Sequence, residues 1–444
     1  MTHDGTNCWD SLPSVIMLEI YSYLKHKDRI NASGVCKNWR QALFHPSFWK
    51  DITFVYESCM SISWSRHLAE CFALSVQNAT IRCQTLHWSD QLESLLWNLR
   101  DNRNLKKLII EPTSSSFEGS ANCNDTSKRT DRIYKSLLKI IATAKQLKAL
   151  SLGCNEDLSV RLEELIDTLI LHHGKHLTHL GLASVKEDPE NYEYVSLHPI
   201  VFSQFESLVV LTLDYEHLSD TLLESLTSGN LERLVVHVHN WRDDQPSTSN
   251  VSWQRFVHNN KRCGLRLNLL HAYIGVTVLD SAILRPAMPL THVKVLFCES
   301  VNLAALFNLS AWYSSSLKSF VWIDSINEDE MWPLTDDRAD ALVLMAWRCP
   351  NLLEMVYIGH KYYQENLLAI ARLRGDVLQR FEFSESSIII EDEFEFEKTK
   401  SEIRKIMGAN WKPITDAELT PVLIDALSGD SRDVIMPLVL RDAK

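Results

Sequence analysis

The sequence predicts an α/β chain in two unequal parts, a short N-terminal helical module followed by a long curved solenoid with one strand and one helix per unit. Residues 9 to 54 carry more apolar side chains than so short a stretch can bury within itself, and behind them one leucine phrase returns along most of the chain. A length of 444 residues, 45% hydrophobic and 9% aromatic, suits one long repeat array behind a small module as well as it suits two to four ordinary domains.

The module comes first. Pro13 fits a first helical turn, where its missing N–H costs nothing, and Asp10 or Ser11 is placed to cap just before it. From there Val15, Ile16, Met17, Leu18, Ile20, Tyr21, Tyr23 and Leu24 run nearly all the way round the helix instead of along one stripe, so the helix needs cover on two sides. Asp28 offers a second helix start, and Val35, Cys36, Trp39 and Leu43 predict a further amphipathic helix with Lys37, Asn38, Arg40 and Gln41 on its other faces. Periodicity alone allows an N-terminal cap on a larger domain.

The pattern is more particular than periodicity. Leu12-Pro13, the run from Leu18 to Leu24, Val35-Cys36-Lys37 with Trp39-Arg40, and the closing Phe48-Trp49 stand in an order and spacing that resembles an F-box. The resemblance implies binding to the Skp adaptor, and through it to a cullin scaffold carrying the ubiquitin-transfer machinery. It implies adaptor contacts at Leu12, Pro13, Ile16, Leu18 and Ile20, with Trp39 and Trp49 shaping the module and its junction to the repeats. Ser14 and Val15 stand where the family often has acidic residues, which removes a capping-box carboxylate.

After residue 70 the phrase is leucine, two residues, an apolar residue, one residue, an apolar residue. It reads Leu105, Leu108, Ile110; Leu147, Leu150, Leu152; Leu177, Leu180, Leu182; Leu208, Leu211, Leu213; Leu231, Leu234, Val236. Looser copies follow at Leu290, Leu317, Leu352 and Leu378, with degenerate ones near Val76, Ala79, Ile81 and near Leu265, Leu267, Leu269. The shorter intervals fit a leucine-rich-repeat period of about 20 to 29 residues. The long interval before Leu147 predicts an insertion, and residues 113 to 130, polar and rich in Ser and Asn, read as a flexible surface loop or modification target; a second, short one lies at 243 to 250. Helical spacing at 135 to 146, 158 to 173, 218 to 228, 336 to 348 and 361 to 373 supplies the other half of each unit. Units that cannot bury their own apolar faces stack into a solenoid; conventional α/β crossovers do not call for a fixed leucine phrase. Together the two parts, 9–54 and 55–384, resemble the F-box and leucine-rich-repeat receptors of SCF-type ubiquitin ligases, including irregular F-box-only members, in which the repeats hold the protein substrate.

Residues that alternate with the leucines face the concave side. In the early repeats, as at Lys107, Ser151, Gly181 and Asp214, these are small or polar; in the later ones Leu296, Val321, Ile323, Val356 and Ile358 form an aliphatic patch and are the candidate substrate contacts. Residues 385 to 444 change character, from an acidic stretch through a helix at Lys398 to Met407 to an apolar tail with Val422, Leu423, Val434, Ile435 and Leu438. Such a tail caps the open end of the solenoid, folds back over the patch, or leaves the patch to a substrate.

The net charge of −12, with no basic block, argues against general nucleic-acid binding. With no signal-peptide pattern and no run of about 18 apolar residues, the chain is expected in the cytoplasm and/or nucleus, away from membranes, and its 10 cysteines as reduced thiols. Glycine-rich phosphate loops, nucleophile elbows and paired-cysteine zinc motifs are absent from the sequence. His172, His173, His176 and His179 make the densest ligand cluster, but the first two end a predicted helix and the last falls on the next strand, so they read as helix-end histidines. The expectation is a non-catalytic receptor subunit without metal or cofactor; the alternative is a repeat scaffold that assembles proteins without directing ubiquitination.

Overall fold

A computed structural model describes residues 9–85, 88–117, 123–195, 197–242, 247–326, 340–390 and 392–443. The N-terminal module is three helices, α1 (Ser14–Tyr23), α2 (His26–Ser33) and α3 (Lys37–Leu43), closed by a 3-10 turn at Pro46–Trp49. The strands are β1 (Asp51–Tyr56), β2 (Asn78–Cys83), β3 (Lys107–Pro112), β4 (Ala149–Ser151), β5 (His179–Gly181), β6 (Val210–Asp214), β7 (Arg233–Val238), β8 (Gly264–Leu270), β9 (Leu290–Leu296), β10 (Ser319–Ile323), β11 (Glu354–Ile358), β12 (Tyr362–Tyr363), β13 (Arg380–Phe383) and β14 (Ile388–Ile389). All but β12 and β14, which pair with each other, form one 12-stranded sheet in chain order, parallel throughout. A parallel pair needs a crossover, so each connection returns over the same face and successive crossover helices stack on one another.

The leucine phrase is the spine of this stack. Leu108, Leu150, Leu180, Leu211, Leu234 and Leu265 sit opposite one another from strand to strand, and each is at most 1% exposed. The copy at Leu265 looks degenerate for a local reason: the register slips between Leu265 and Arg266, so that Leu265 faces Leu290 but Arg266 faces His292. Between units, buried Asn102 ties one turn to another, its Nδ2 donating to the carbonyls of Ala73 at 2.6 Å and Val76 at 2.7 Å. A turn that must be buried has to satisfy its carbonyls, and a side-chain amide does so.

Three features differ from the sequence reading. The sheet begins at β1, which spans the expected boundary of the module at residue 54 and goes straight from the 3-10 turn into the first repeat. Its Ile52, Phe54 and Tyr56 alternate inward without any leucine, which hid it from the phrase. The stretch 113 to 130 is not one loop. Phe117 is buried with its ring 4.9 Å from that of Trp88, residues 118–122 lie outside the described residues, and a helix runs from Cys123 to Thr143. Asp10 and Ser11 do not cap α1 either; Pro13 occupies the cap position, with no side-chain hydrogen bond. In the other predicted helices, Ala341–Arg348 and Gln364–Arg374 are formed, while 336–339 and the first half of the 243 to 250 loop (243–246) lie outside the described residues.

Candidate docking surface and concave face

The helical module has a small core and an unusually apolar outside. Met17 and Tyr21 on α1 are fully buried, and Leu43 and Trp49 close over them. Polar bonds fix the frame: the Tyr21 hydroxyl donates to the Trp39 carbonyl at 2.7 Å, Arg29 Nε donates to the Tyr21 carbonyl at 2.9 Å, and the Arg29 guanidinium lies 4.7 Å from the Phe48 ring centre. Asn38 Nδ2 donates to the carbonyls of Asp10 and Leu12, both at 3.0 Å, which holds the segment entering Pro13 against α3. Trp49 is the hinge pin to the repeats, its indole donating to the Leu43 carbonyl at 2.7 Å and its ring stacked 4.9 Å from Phe72.

Outside this frame Val15 is 75% exposed, Ile16 47%, Tyr23 80% and Val35 69%. Of the expected contacts, Pro13 and Ile16 are exposed and Leu12, Leu18 and Ile20 half-buried, all on or next to α1. Leu18 also lines a groove of about 280 Å³ with Met17, Ala42, Phe44 and Pro46. Exposed apolar side chains beside an apolar groove are the kind of surface that calls for a partner.

The concave face is divided. Across β1 to β3 it is mostly polar, with Arg82 paired to Glu111 at 3.0 Å on one wall of a cleft whose other wall includes Arg432, Met436 and Leu440. Across β8 to β11 it is covered by the chain's own C-terminus: Val422 and Leu423 of a short helix and Ile435, Met436, Leu438 and Val439 of the helix Arg432–Asp442 pack on Leu296, Val321, Ile323, Val356 and Ile358. Each of those five is at most 3% exposed. Of the three arrangements open to the tail, the structure shows the one in which it folds back over the aliphatic patch. Exposed aliphatics on neighbouring strands demand cover, and a tail rich in aliphatics supplies it at high effective concentration. Asp442 at the end of that helix is buried among Arg233, Arg266, Asn268 and Lys294.

A second polar knot lies in the middle of the sheet. The Asp214 carboxylate accepts from Ser184 N at 2.9 Å and Ser184 Oγ at 2.6 Å, with Lys186 Nζ at 3.4 Å and His239 Nε2 at 3.6 Å; His237 Nδ1 lies 2.8 Å from the Ser184 carbonyl. Burial opposes ionisation of Asp214, but Lys186 and the two histidines hold its carboxyl well below the usual range. Burial and the Asp214 charge push neighbouring Glu216 up to about 7. Asp214, His237 and His239 are the group among the described residues whose ligand atoms, within 4.8 Å of one another, could receive a metal ion. The Lys186 ammonium already neutralises that carboxylate, and both histidines point at the Ser184 carbonyl, so the knot is satisfied as an internal ion pair. Sequence reading missed it because its members come from three different repeats, Ser184 and Lys186 beyond β5, Asp214 at the end of β6, and His237 and His239 at and just past the end of β7; the alternation of His237 and His239 was the available signal. Of the expected histidine cluster, His173 and His176 meet at 3.0 Å, while His173 Nε2 bonds the Ile141 carbonyl and His179 turns to Thr178. Cys154 and Cys298 are buried and Cys36 half-buried, and none of the three is in a disulfide. Among the described residues no helix is long and apolar enough to cross a membrane.

Comparison with known proteins follows the same division. Residues 9–55 match the family model described as F-box-like. Along 438 residues the chain is 25% identical to F-box only protein 33 of Homo sapiens, covering 85% of this chain and 77% of that protein. Over 421 residues it is 22% identical to F-box/LRR-repeat protein 21 of Mus musculus, covering 91% and 89%.

Proposed function

Because the chain is an F-box protein with a parallel repeat solenoid behind its F-box, we infer that it is the substrate-recognition subunit of an SCF-type ubiquitin-protein ligase. The F-box binds the Skp adaptor, the adaptor binds the cullin scaffold, and the solenoid holds a target protein. The observation that carries the reading is the apolar surface left exposed on α1, at Val15, Ile16 and Tyr23, and at Val35 and Phe44 on either side of α3, while Met17, Tyr21, Leu43 and Trp49 are buried without it. Leu12, Pro13, Ile16, Leu18 and Ile20 make the adaptor contact, and Trp49 transmits the module's orientation to the repeats. The subunit needs no catalytic side chain: holding a target beside a ubiquitin-charged enzyme makes transfer effectively intramolecular.

The test is purification of the full chain from cells, followed by ubiquitin transfer by the purified assembly. The reading expects adaptor and cullin to be retained and at least one captured protein to be ubiquitinated and to accumulate in cells when the chain is removed. Retention of the adaptor without any such target would replace the reading with that of a scaffold.

A further inference from the structure

Four side chains on three adjacent strands converge on Asp442, which does not belong to the sheet, three of them on its carboxylate. Arg266 donates to Asp442 Oδ1 at 2.6 Å, Asn268 Nδ2 donates to Oδ2 at 3.0 Å, Lys294 Nζ contacts the same oxygen, and Arg233 donates to the Asp442 main-chain carbonyl at 3.0 Å. Asp442 closes the last turn of the helix Arg432–Asp442, where the negative end of the helix dipole disfavours a carboxylate. The sheet offsets this with three cations against the tail's one carboxylate. Lys294 is 5% exposed, so an anion is required there whenever the face is dry.

The covering contact is also separable from the fold. Ile435, Met436, Leu438 and Val439 belong with Leu296, Val321, Ile323, Val356 and Ile358 to a cluster distinct from the leucine core. In the segment leading into the helix Leu427 is 95% exposed, and the start of the helix is tied down by polar contacts, Ser431 Oγ to His271 Nε2 at 2.8 Å and Arg432 to Glu187 at 2.5 Å. Lifting the helix would leave the leucine core intact and open an aliphatic groove that ends in a cationic pocket.

We propose that this groove and pocket are the target-recognition site, and that the helix Arg432–Asp442 is an internal ligand occupying it. The ligand class is read from the occupant: a helical protein segment with aliphatic residues at i and i+4 and an aspartate or glutamate at i+7, as in Ile435, Val439 and Asp442. Charge complementarity commits the site to an acidic segment, because Arg266, Lys294 and Arg233 belong to the scaffold and stay when the tail leaves. The proposal rests on the receptor reading for its biological use, but the binding chemistry does not depend on it.

The experiment uses full-length chains carrying Asp442→Lys or Asp442→Ala and a fluorescein-labelled synthetic peptide of residues 430–443, with a second peptide carrying Asp442→Ala. Both chains are first checked by far-UV circular dichroism and by binding of the Skp adaptor, which lies at the other end of the chain. Hydrogen exchange should show residues 432–442 deprotected in both variants. Anisotropy should show the released chains binding the native peptide at least about tenfold tighter than the wild-type chain does, and the substituted peptide at least about tenfold weaker. Unchanged protection of 432–442 in the folded variants, no uptake of the native peptide, or equal affinity for the two peptides would each overturn the proposal. Loss of adaptor binding by the wild-type chain would instead remove the receptor reading and leave the pocket standing.

Discussion

Ile16 and Met17 are neighbours on α1 with opposite predicted consequences. Met17 is fully buried and Ile16 is 47% exposed. Truncating Met17 to alanine deletes core contacts and leaves a cavity, a loss of about 2–5 kcal/mol in folding. Ile16→Ala removes side-chain surface that is still half in water, so its effect on folding is small. Fully burying an isoleucine is worth roughly 1.5–3 kcal/mol. With half of its surface still to bury, Ile16 contributes about 1 kcal/mol by transfer alone and about 2 kcal/mol if it packs centrally in the interface, or about fivefold to thirtyfold in adaptor affinity. Calorimetric titration of the Skp adaptor and thermal melts of both variants separate the two effects. An Ile16→Ala chain that keeps wild-type affinity, or that melts as low as Met17→Ala, refutes the assignment of this face to docking.

Three further outcomes follow from the interior. Burial pushes His217, His237 and His292 down to about 4 from an ordinary value of 6.5; the unfolded chain then binds more protons between those values, so the stabilisation is whole above pH 6.5 and is lost as pH falls toward 4. Glu216, pushed up to about 7, runs the other way between its ordinary 4.5 and 7, but it is outnumbered; melting temperature should fall from pH 7 to pH 5, and His237→Asn, which keeps a donor toward Ser184, should flatten the fall, whereas a pH-independent melt contradicts the burial argument. Gly359 has φ +96°, and an added Cβ would lie 2.3 Å from the Asp324 carbonyl oxygen, so Gly359→Ala should lose about 1–3 kcal/mol in chemical denaturation, and a neutral result would mean that the β11 turn is not held in this conformation. Asn102→Leu orphans the carbonyls of Ala73 and Val76 and should lower stability by about 2 kcal/mol; an unchanged denaturation midpoint would show that those carbonyls find water instead.

What could be read from the sequence follows from how burial is distributed. Leu108, Leu150, Leu180, Leu211 and Leu234 recur at fixed offsets because each occupies the same buried place in its unit, so strand-plus-helix repetition was legible at once. β1 was not, because Ile52, Phe54 and Tyr56 fill that place with other shapes. The module was legible as an excess of apolar residues, and the structure sorts them: of the run on α1, Met17 and Tyr21 are core, while Val15, Ile16 and Tyr23 face outward. A helical period cannot make that distinction when every face is apolar. The aliphatic patch from Leu296 to Ile358 was found, but alternation along a strand gives the face a residue occupies and not what lies over it. Nothing local marks Asp442, in a short polar terminus, as the partner of Arg266 and Lys294 more than a hundred residues upstream, with |i−j| of 176 and 148. Long-range electrostatic closure is written in three dimensions only.

The central claim, that residues 9–55 dock an adaptor through the surface around Leu12 and Pro13, is tested most directly by titrating purified Skp adaptor into the full-length chain and into the same chain carrying Leu12→Ala and Pro13→Ala. The account predicts a one-to-one complex that the double variant loses while its melting temperature changes little. Equal binding by both chains, or none by either, would contradict it.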